Sequence, residues 1–207
     1  MDGVFISLEG NEGAGKSTAG PFLRDLIAPH AEVVLVREPG GTPFGEKIRN
    51  LVLNDYCAIR TEIMLFFASR NELVTSVIKP AIERGAVVIC DRFVDTSYAY
   101  QGYGRQALED VKAMDRFVLR GFEPKHTLFF DISQETSRKR MEARGLTPDR
   151  FEKEELAFFD RVRKGFDHRF RTNQHRMHRI DANQDLEHVQ QQLRDWVDAH
   201  LICDLLL

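Results

Sequence analysis

Gly10, Gly15, Lys16 and Ser17 stand in Gly-x-x-x-x-Gly-Lys-Ser spacing, inside Gly10-Asn11-Glu12-Gly13-Ala14-Gly15-Lys16-Ser17-Thr18 and directly after the apolar run Val4-Phe5-Ile6-Ser7-Leu8. These residue types at this spacing bind phosphate. Glycines let backbone N–H groups turn inward around an anion where a side chain would block the approach. Lys16 then lies against the β- and γ-phosphates, and Ser17 holds Mg2+ through its hydroxyl. A helix starting here points its positive end at the same charge. A second group stands far along the chain. Ala86-Val87-Val88-Ile89-Cys90 is a buried-strand pattern ending in the carboxylate of Asp91, an acid suited to the Mg2+ shell. Its neighbour Arg92 offers phosphate oxygens a rigid fork that a lysine lacks.

These groups need a scaffold that brings strand ends together. Ser17 to about Ile27 reads as a helix closed by Pro29, and Glu32–Arg37 as a short strand leading into the tight loop Glu38-Pro39-Gly40-Gly41-Thr42-Pro43. Helical periodicity marks 45–53, a long segment from Arg60 to Glu83 with Pro80 near its end, Val94–Tyr103 and Glu109–Arg120. His126–Asp131 is a further strand, followed by a helix from Gln134 to Arg144, a polar turn over Gly145–Arg150 and a helix to about Phe170. A short strand near His178–Asp181 and an acidic helix from Asp185 close the series. Strands alternating with helices predict an α/β fold, a doubly wound parallel sheet of about five strands in one domain over 1–207. Ligands bind such sheets at the carboxyl ends of the strands.

Composition narrows the class. With 43% hydrophobic and 29% charged residues the chain reads as soluble and globular. A formal charge of −3 argues against a domain built to coat nucleic acid. No apolar stretch approaches bilayer length, and Met1-Asp2-Gly3 runs straight into the first strand, so we expect a cytoplasmic protein with no membrane association. Cys57, Cys90 and Cys203 have neither disulfide nor zinc spacing. The basic run Arg161–Arg179 reads as a solvated helix face.

Beyond the phosphate loop, four further motifs occur in order over nearly the whole chain: Arg37-Glu38-Pro39-Gly40-Gly41-Thr42, Leu65-Phe66-Phe67-Ala68-Ser69-Arg70, Asp91-Arg92-Phe93 with Ala99-Tyr100-Gln101-Gly102-Tyr103-Gly104-Arg105, and Asp149-Arg150-Phe151-Glu152. Together they resemble the bacterial thymidylate kinases. The resemblance implies a P-loop NTP hydrolase-like fold with a mobile lid at about 141–152, and transfer of the γ-phosphoryl group of ATP, with Mg2+, onto dTMP. It implies ATP on Gly10 to Thr18, and metal ligation by Ser17 and Asp91. For dTMP it implies Phe66 stacked on the thymine, Arg70 donating to a thymine carbonyl, and Ser97 and Gln101 reaching the base. By the same resemblance Arg92 and Arg49 hold the acceptor phosphate, Glu38 and Pro39 shape that wall, Tyr100 crowds the sugar's 2′ side, and Glu12 accepts from the 3′-hydroxyl. The residues agree in part, since Phe66 and Arg70 share a helix face at i and i+4.

Some members of that family carry a catalytic arginine where Gly13 stands. Here the resemblance places it in the lid, with Arg144 as first choice, Arg150 as second, and Arg140 one turn from Arg144. Asp149 and Glu152 would orient those arginines or the metal. Gly145 and Pro148 flank a hinge for a lid that excludes water from the phosphoryl donor. A homodimer follows from the resemblance alone. Other readings compete, among them an adenylate- or guanylate-type monophosphate kinase, open only if the base-reading residues are misassigned. A deoxynucleoside kinase would need a general base at a 5′-hydroxyl, which the Glu-Pro-Gly-Gly loop and Arg49 disfavour. A nucleic-acid motor would use the Arg161–Arg179 run.

Overall fold

The computed structural model describes residues 3–145, 150–151 and 154–202, with the side chains of Arg144 and Ile202 left aside. The expected lid therefore lies partly outside the described residues, as do Pro148, Asp149, Glu152, Cys203 and the Arg144 guanidinium.

Five strands form one parallel sheet in the order β2-β3-β1-β4-β5: β1 Val4–Gly10, β2 Val33–Arg37, β3 Val87–Asp91, β4 His126–Asp131 and β5 Met177–Asp181. The doubly wound expectation holds. β1 is central, and every one of its residues is buried. Alternation assigns the two faces. Val4, Ile6 and Leu8 pack with Val87 and Ile89 against helices α1 (Lys16–Ile27) and α9 (Leu186–Val197). Phe5, Val88 and Cys90 face the opposite layer, which includes α3 (Ile59–Leu73), α4 (Lys79–Glu83) and α6 (Leu108–Val118). The chain leaves β1 toward β2 and leaves β3 toward β4, on opposite sides, so a crevice opens between the carboxyl ends of these neighbouring strands.

Local chemistry fixes the elements around that crevice. Thr42 caps α2 (Pro43–Asn54), accepting the Gly45 N–H at 2.9 Å, with Pro43 in the first turn where its missing N–H costs nothing. Ser133 caps α7 (Gln134–Arg144), and Asp185 caps α9. The 60–83 segment, expected as one α-helix, is α3 and α4 joined by a π-helical turn over Val74–Ile78, where the Lys79 N–H reaches back to the Val74 carbonyl. Pro80 is the physical reason: it has no N–H, and its ring would strike the carbonyl four residues earlier in a regular helix. The helix expected over 94–103 likewise begins as α5 (Val94–Ser97) and widens into a π-helix over Tyr98–Gly104. Helix α8 (Leu156–Thr172) lies against that π-helix, and Gly165 permits the approach, since a Cβ there would sit 2.8 Å from the Ala99 Cα.

Candidate active site

The phosphate loop connects the end of β1 to α1. Gly10 has φ 144° and no room for a Cβ, which would fall 2.5 Å from the Phe130 carbonyl oxygen on β4. Gly13 has φ 70°, and a Cβ there would lie 2.8 Å from the Ser137 carbonyl oxygen on α7. Both glycines answer to sterics as well as to phosphate. Lys16 is buried, its Nζ donating to the Gly10 carbonyl at 2.9 Å and the Asn11 carbonyl at 2.8 Å. Burial, assisted by the Arg92 charge, pulls its pKa down to about 8. Ser17 and Thr18 are exposed at the mouth. Beside the loop a cavity of about 290 Å³ is bordered by Gly15, Thr18, Phe22, Arg140, Gln184 and Leu186. Arg140 closes one side, donating to the Gln184 carbonyl at 2.9 Å and lying 3.5 Å from the Gly13 carbonyl oxygen.

Across the β1–β3 crevice, Lys16, Ser17 and Asp91 border a second cavity of about 350 Å³. Asp91 Oδ1 is buried there with no hydrogen-bond partner. An oxygen acceptor in want of a cation, beside a hydroxyl and a phosphate loop, fits Mg2+, which takes one or two protein oxygens and completes its shell with phosphate and water. Among the described residues no three His, Cys, Asp or Glu side chains cluster to cage a metal.

Arg92 joins the loop to a third space. Its backbone is left-handed, with φ 71°. Its guanidinium donates to the Gly10 carbonyl at 3.1 Å and to Thr96 Oγ1 at 3.2 Å, and pairs with Glu12. Burial alone would lower its pKa, but Glu12, Tyr100, Asp91 and Glu9 outweigh burial and leave it raised. The third space, of about 70 Å³, touches Glu38, Pro39, Arg49, Phe66, Arg92 and Gln101. Arg49 donates to the Pro39 carbonyl at 2.9 Å. The Glu38–Pro39 peptide is cis. Arg70 is fully buried: Nε donates to Glu38 at 2.7 Å, Nη2 donates to Ser97 Oγ at 3.0 Å and contacts the Phe93 carbonyl, and Nη1 has no partner. Burial pushes the Glu38 carboxyl up to about 7 against the pull of Arg70. Phe151 meets Phe66 and Tyr100 edge-on, at centroid distances of 6.0 and 6.1 Å.

One side of the crevice thus carries the glycine-rich loop with its buried lysine, and the other offers a guanidinium, an aromatic ring and unfilled hydrogen-bonding groups. Comparison with known proteins decides between kinase classes. The thymidylate kinase family model matches residues 8–193. The chain belongs to the thymidylate kinase family. It is 46% identical over 198 residues to the thymidylate kinase of Pseudomonas putida strain GB-1, covering 93% of this chain and 94% of that one. The thymidylate kinase of Pseudomonas fluorescens strain Pf0-1 is 48% identical over the same shares of the two chains. That of Bordetella pertussis strain Tohama I is 47% identical over 196 residues, covering 92% of each. No helix among the described residues is long and apolar enough to cross a membrane.

Against this family background, the structure places Lys16, Ser17 and Asp91 at one cavity of the crevice and Glu12, Glu38, Pro39, Arg49, Phe66, Arg92, Tyr100 and Gln101 at another, with Arg70 and Ser97 buried, Arg70 bonded to Glu38 and to Ser97. Arg150 stands elsewhere. Expected at the transferring phosphate, it is buried against α3, donating to Glu62 at 2.7 Å and to the Val52 carbonyl, with its guanidinium 4.2 Å from the Phe151 ring centre. The basic run departs from a solvated face too. Arg169 and Arg176 turn inward to the buried carboxylate of Asp95, which they hold below its ordinary pKa despite its burial. Sequence reasoning missed Glu9, whose buried carboxylate accepts the Phe93 N–H at 2.8 Å and the Thr96 hydroxyl. Burial and the neighbouring Asp95 push it up to about 7. It missed Glu62 as well, although Glu62, Phe66 and Arg70 succeed one another at i+4 on one helix face, a signal open to reading.

Proposed function

We propose that the protein transfers the γ-phosphoryl group of ATP onto dTMP, yielding ADP and dTDP. An oxygen of the dTMP phosphate attacks the γ-phosphorus while the bond to the ADP oxygen breaks. The observation that carries this reading is Arg92: one side chain touches the phosphate loop through Gly10 and Glu12 and also borders the pocket of Phe66 and Gln101. A guanidinium so placed faces both reacting phosphates, as in-line phosphoryl transfer between two bound anions requires.

Lys16 is assigned to the β- and γ-phosphates, and Gly10 to Thr18 to the donor's phosphate chain. The cavity between Arg140 and Leu186 takes the donor base. Ser17 and Asp91 would hold Mg2+, which when bound neutralises charge on the donor phosphates. On the acceptor side Phe66 stacks on thymine, Arg70 donates through Nη1, and Arg49 with Arg92 grips the phosphate, while Glu38 and Pro39 wall the pocket. Tyr100 excludes a 2′-hydroxyl by bulk, and Glu12 accepts from the 3′-hydroxyl. The catalytic lid arginine is Arg144, with Arg140 supporting the loop, because Arg150 is committed to Glu62. We further assign the protein to the cytosol as a homodimer. Adjacent helices α2, α3 and α6 show water the large apolar side chains of Leu51, Met64 and Phe117, the last 71% exposed.

The test is ADP release from ATP and Mg2+ against a panel of nucleosides and nucleoside monophosphates. The expected outcome is dTMP as the best acceptor, with thymidine inert. Equal rates for pyrimidine and purine acceptors would overturn the base-reading roles, and turnover of thymidine would favour a nucleoside kinase.

A further inference from the structure

Glu62 is a buried carboxylate with two partners and no place in the phosphate chemistry. Its Oε2 accepts from Arg150 Nη2 at 2.7 Å, and its Oε1 accepts from Gln101 Nε2 at 2.9 Å. Both acid and arginine are nearly sealed from water, at 2% and 5% side-chain exposure. Gln101 borders the acceptor pocket, and its other amide atom, Oε1, is buried with no hydrogen-bond partner.

The two ends of a glutamine amide have nearly the same shape and opposite hydrogen-bonding sense. What decides between them is the neighbour. A carboxylate paired with arginine offers acceptors only, so the NH2 end of Gln101 must face Glu62 and the carbonyl end must face away. Reversal would set oxygen against oxygen in a dry site, where such a mismatch is costly. Arg70, meanwhile, reaches Ser97, one helical turn before Gln101, and leaves Nη1 as an unfilled donor. A fixed acceptor at the pocket therefore comes with a donor close behind the wall, since Arg70 is bonded to Glu38, which borders the same pocket as Gln101. That pair complements a base edge with N–H beside C=O, as in thymine and uracil. Cytosine presents the reverse, a bare ring nitrogen beside an amino group.

Resting on the proposed acceptor class, we infer that Glu62, anchored by Arg150, is a positioning residue for base specificity: it fixes the sense of the Gln101 amide so that the pocket selects an imide edge and rejects cytosine. Neither residue touches the nucleotide in this scheme. Glu62 acts through Gln101, and the Asp149-Arg150-Phe151-Glu152 motif contributes through Arg150.

The experiment compares kcat/KM for dUMP and dCMP, two acceptors that both lack the 5-methyl group and differ only at the edge being read. In Glu62→Gln the new amide can donate or accept, so Gln101 is free to turn, and the dUMP-to-dCMP ratio should fall by roughly tenfold to a hundredfold. A role confined to holding the fold would lower both acceptors together and leave the ratio where it was, and that outcome overturns the inference. Should the single variant fail to fold for want of a partner to Arg150, the double variant Glu62→Gln with Arg150→Met removes the buried charge altogether. It carries the same expectation, read also as dissociation constants for dUMP and dCMP by calorimetry. The parent protein separates the two levels of claim. Failure to phosphorylate dTMP would sink the proposed function, whereas a strong dTMP preference with an unmoved ratio in the variants would sink only the role of Glu62.

Discussion

Lys16→Met should separate stability from turnover, because the native fold holds the Lys16 ammonium at a cost. Its pKa falls from 10.5 to about 8 on folding, chiefly through burial. At about 1.4 kcal/mol per unit that displacement is roughly 3 kcal/mol of stability withheld at neutral pH. Methionine fills the space without the charge and forfeits two hydrogen bonds to the Gly10 and Asn11 carbonyls, about 1 kcal/mol each. The nucleotide-free variant should therefore be more stable by about 1 kcal/mol, a rise of about 2–4 °C in Tm for a domain of this size. The pH dependence gives the signature. Below pH 8 the lysine is protonated in both folded and unfolded chains, and the difference between the proteins is constant. Between about 8 and 10.5 the unfolded chain binds more protons, so the parent gains up to roughly 3 kcal/mol as pH rises, and the gap closes and then reverses. Thermal unfolding of both proteins from pH 7 to 10.5, with ADP release at pH 7.5, measures each part, and turnover should drop at least roughly a hundredfold. A variant that melts several degrees below its parent at every pH would show that Lys16 stabilises the empty loop, contrary to this account.

Glu38 titrates in the opposite sense. Because burial raises its carboxyl from 4.5 to about 7, the parent should lose stability as pH rises through that window, while Glu38→Gln does not titrate there. The parent's Tm advantage over Glu38→Gln should therefore shrink between pH 4.5 and 7, and a widening advantage would mean that the Arg70 pair outweighs burial. Arg144→Ala should lower kcat with nucleotide affinity largely kept, as single-turnover and binding measurements would show; parental turnover would move the catalytic assignment to Arg140. Met64→Asp, at a position 51% exposed, should shift the protein to monomer in sedimentation if α3 lies in the dimer contact, and an unchanged mass would place the contact elsewhere.

The fold was legible because its signals are local. The run before Gly10 reads as a strand buried on both faces, and Asp91 follows another such run, so both strands were legible, whereas their pairing across some eighty residues shows only in the fold. Helix interruptions were less visible. Pro80 announced a disturbance, yet whether the chain would break or widen into a π-turn depends on the packing of Val74 and Ile78 into the sheet's helical layer. The candidate site was legible where two of its residues share one helix, as Phe66 and Arg70 do. It was opaque where remote positions meet: Arg150 and Glu62 are 88 residues apart, and no local pattern states that the arginine of one motif pairs with a carboxylate in another segment.

The same limit explains the basic run, and the explanation leads back to Arg92. A left-handed backbone at a non-glycine residue costs about 1–2 kcal/mol, so something must hold it. The Arg92 N–H donates to the Leu8 carbonyl at 2.9 Å, and the next N–H, that of Phe93, is taken by the buried carboxylate of Glu9. Two acids, Glu9 and Asp95, are thereby brought close under the turn that carries Arg92, and each raises the cost of ionising the other. Arg169 and Arg176 offset that repulsion from below through Asp95, at 2.6 and 2.9 Å. What reads in sequence as a cationic face is thus in part counter-charge for two buried acids beneath a strained arginine, while Arg163, Lys164 and Arg171 of the same run stay exposed.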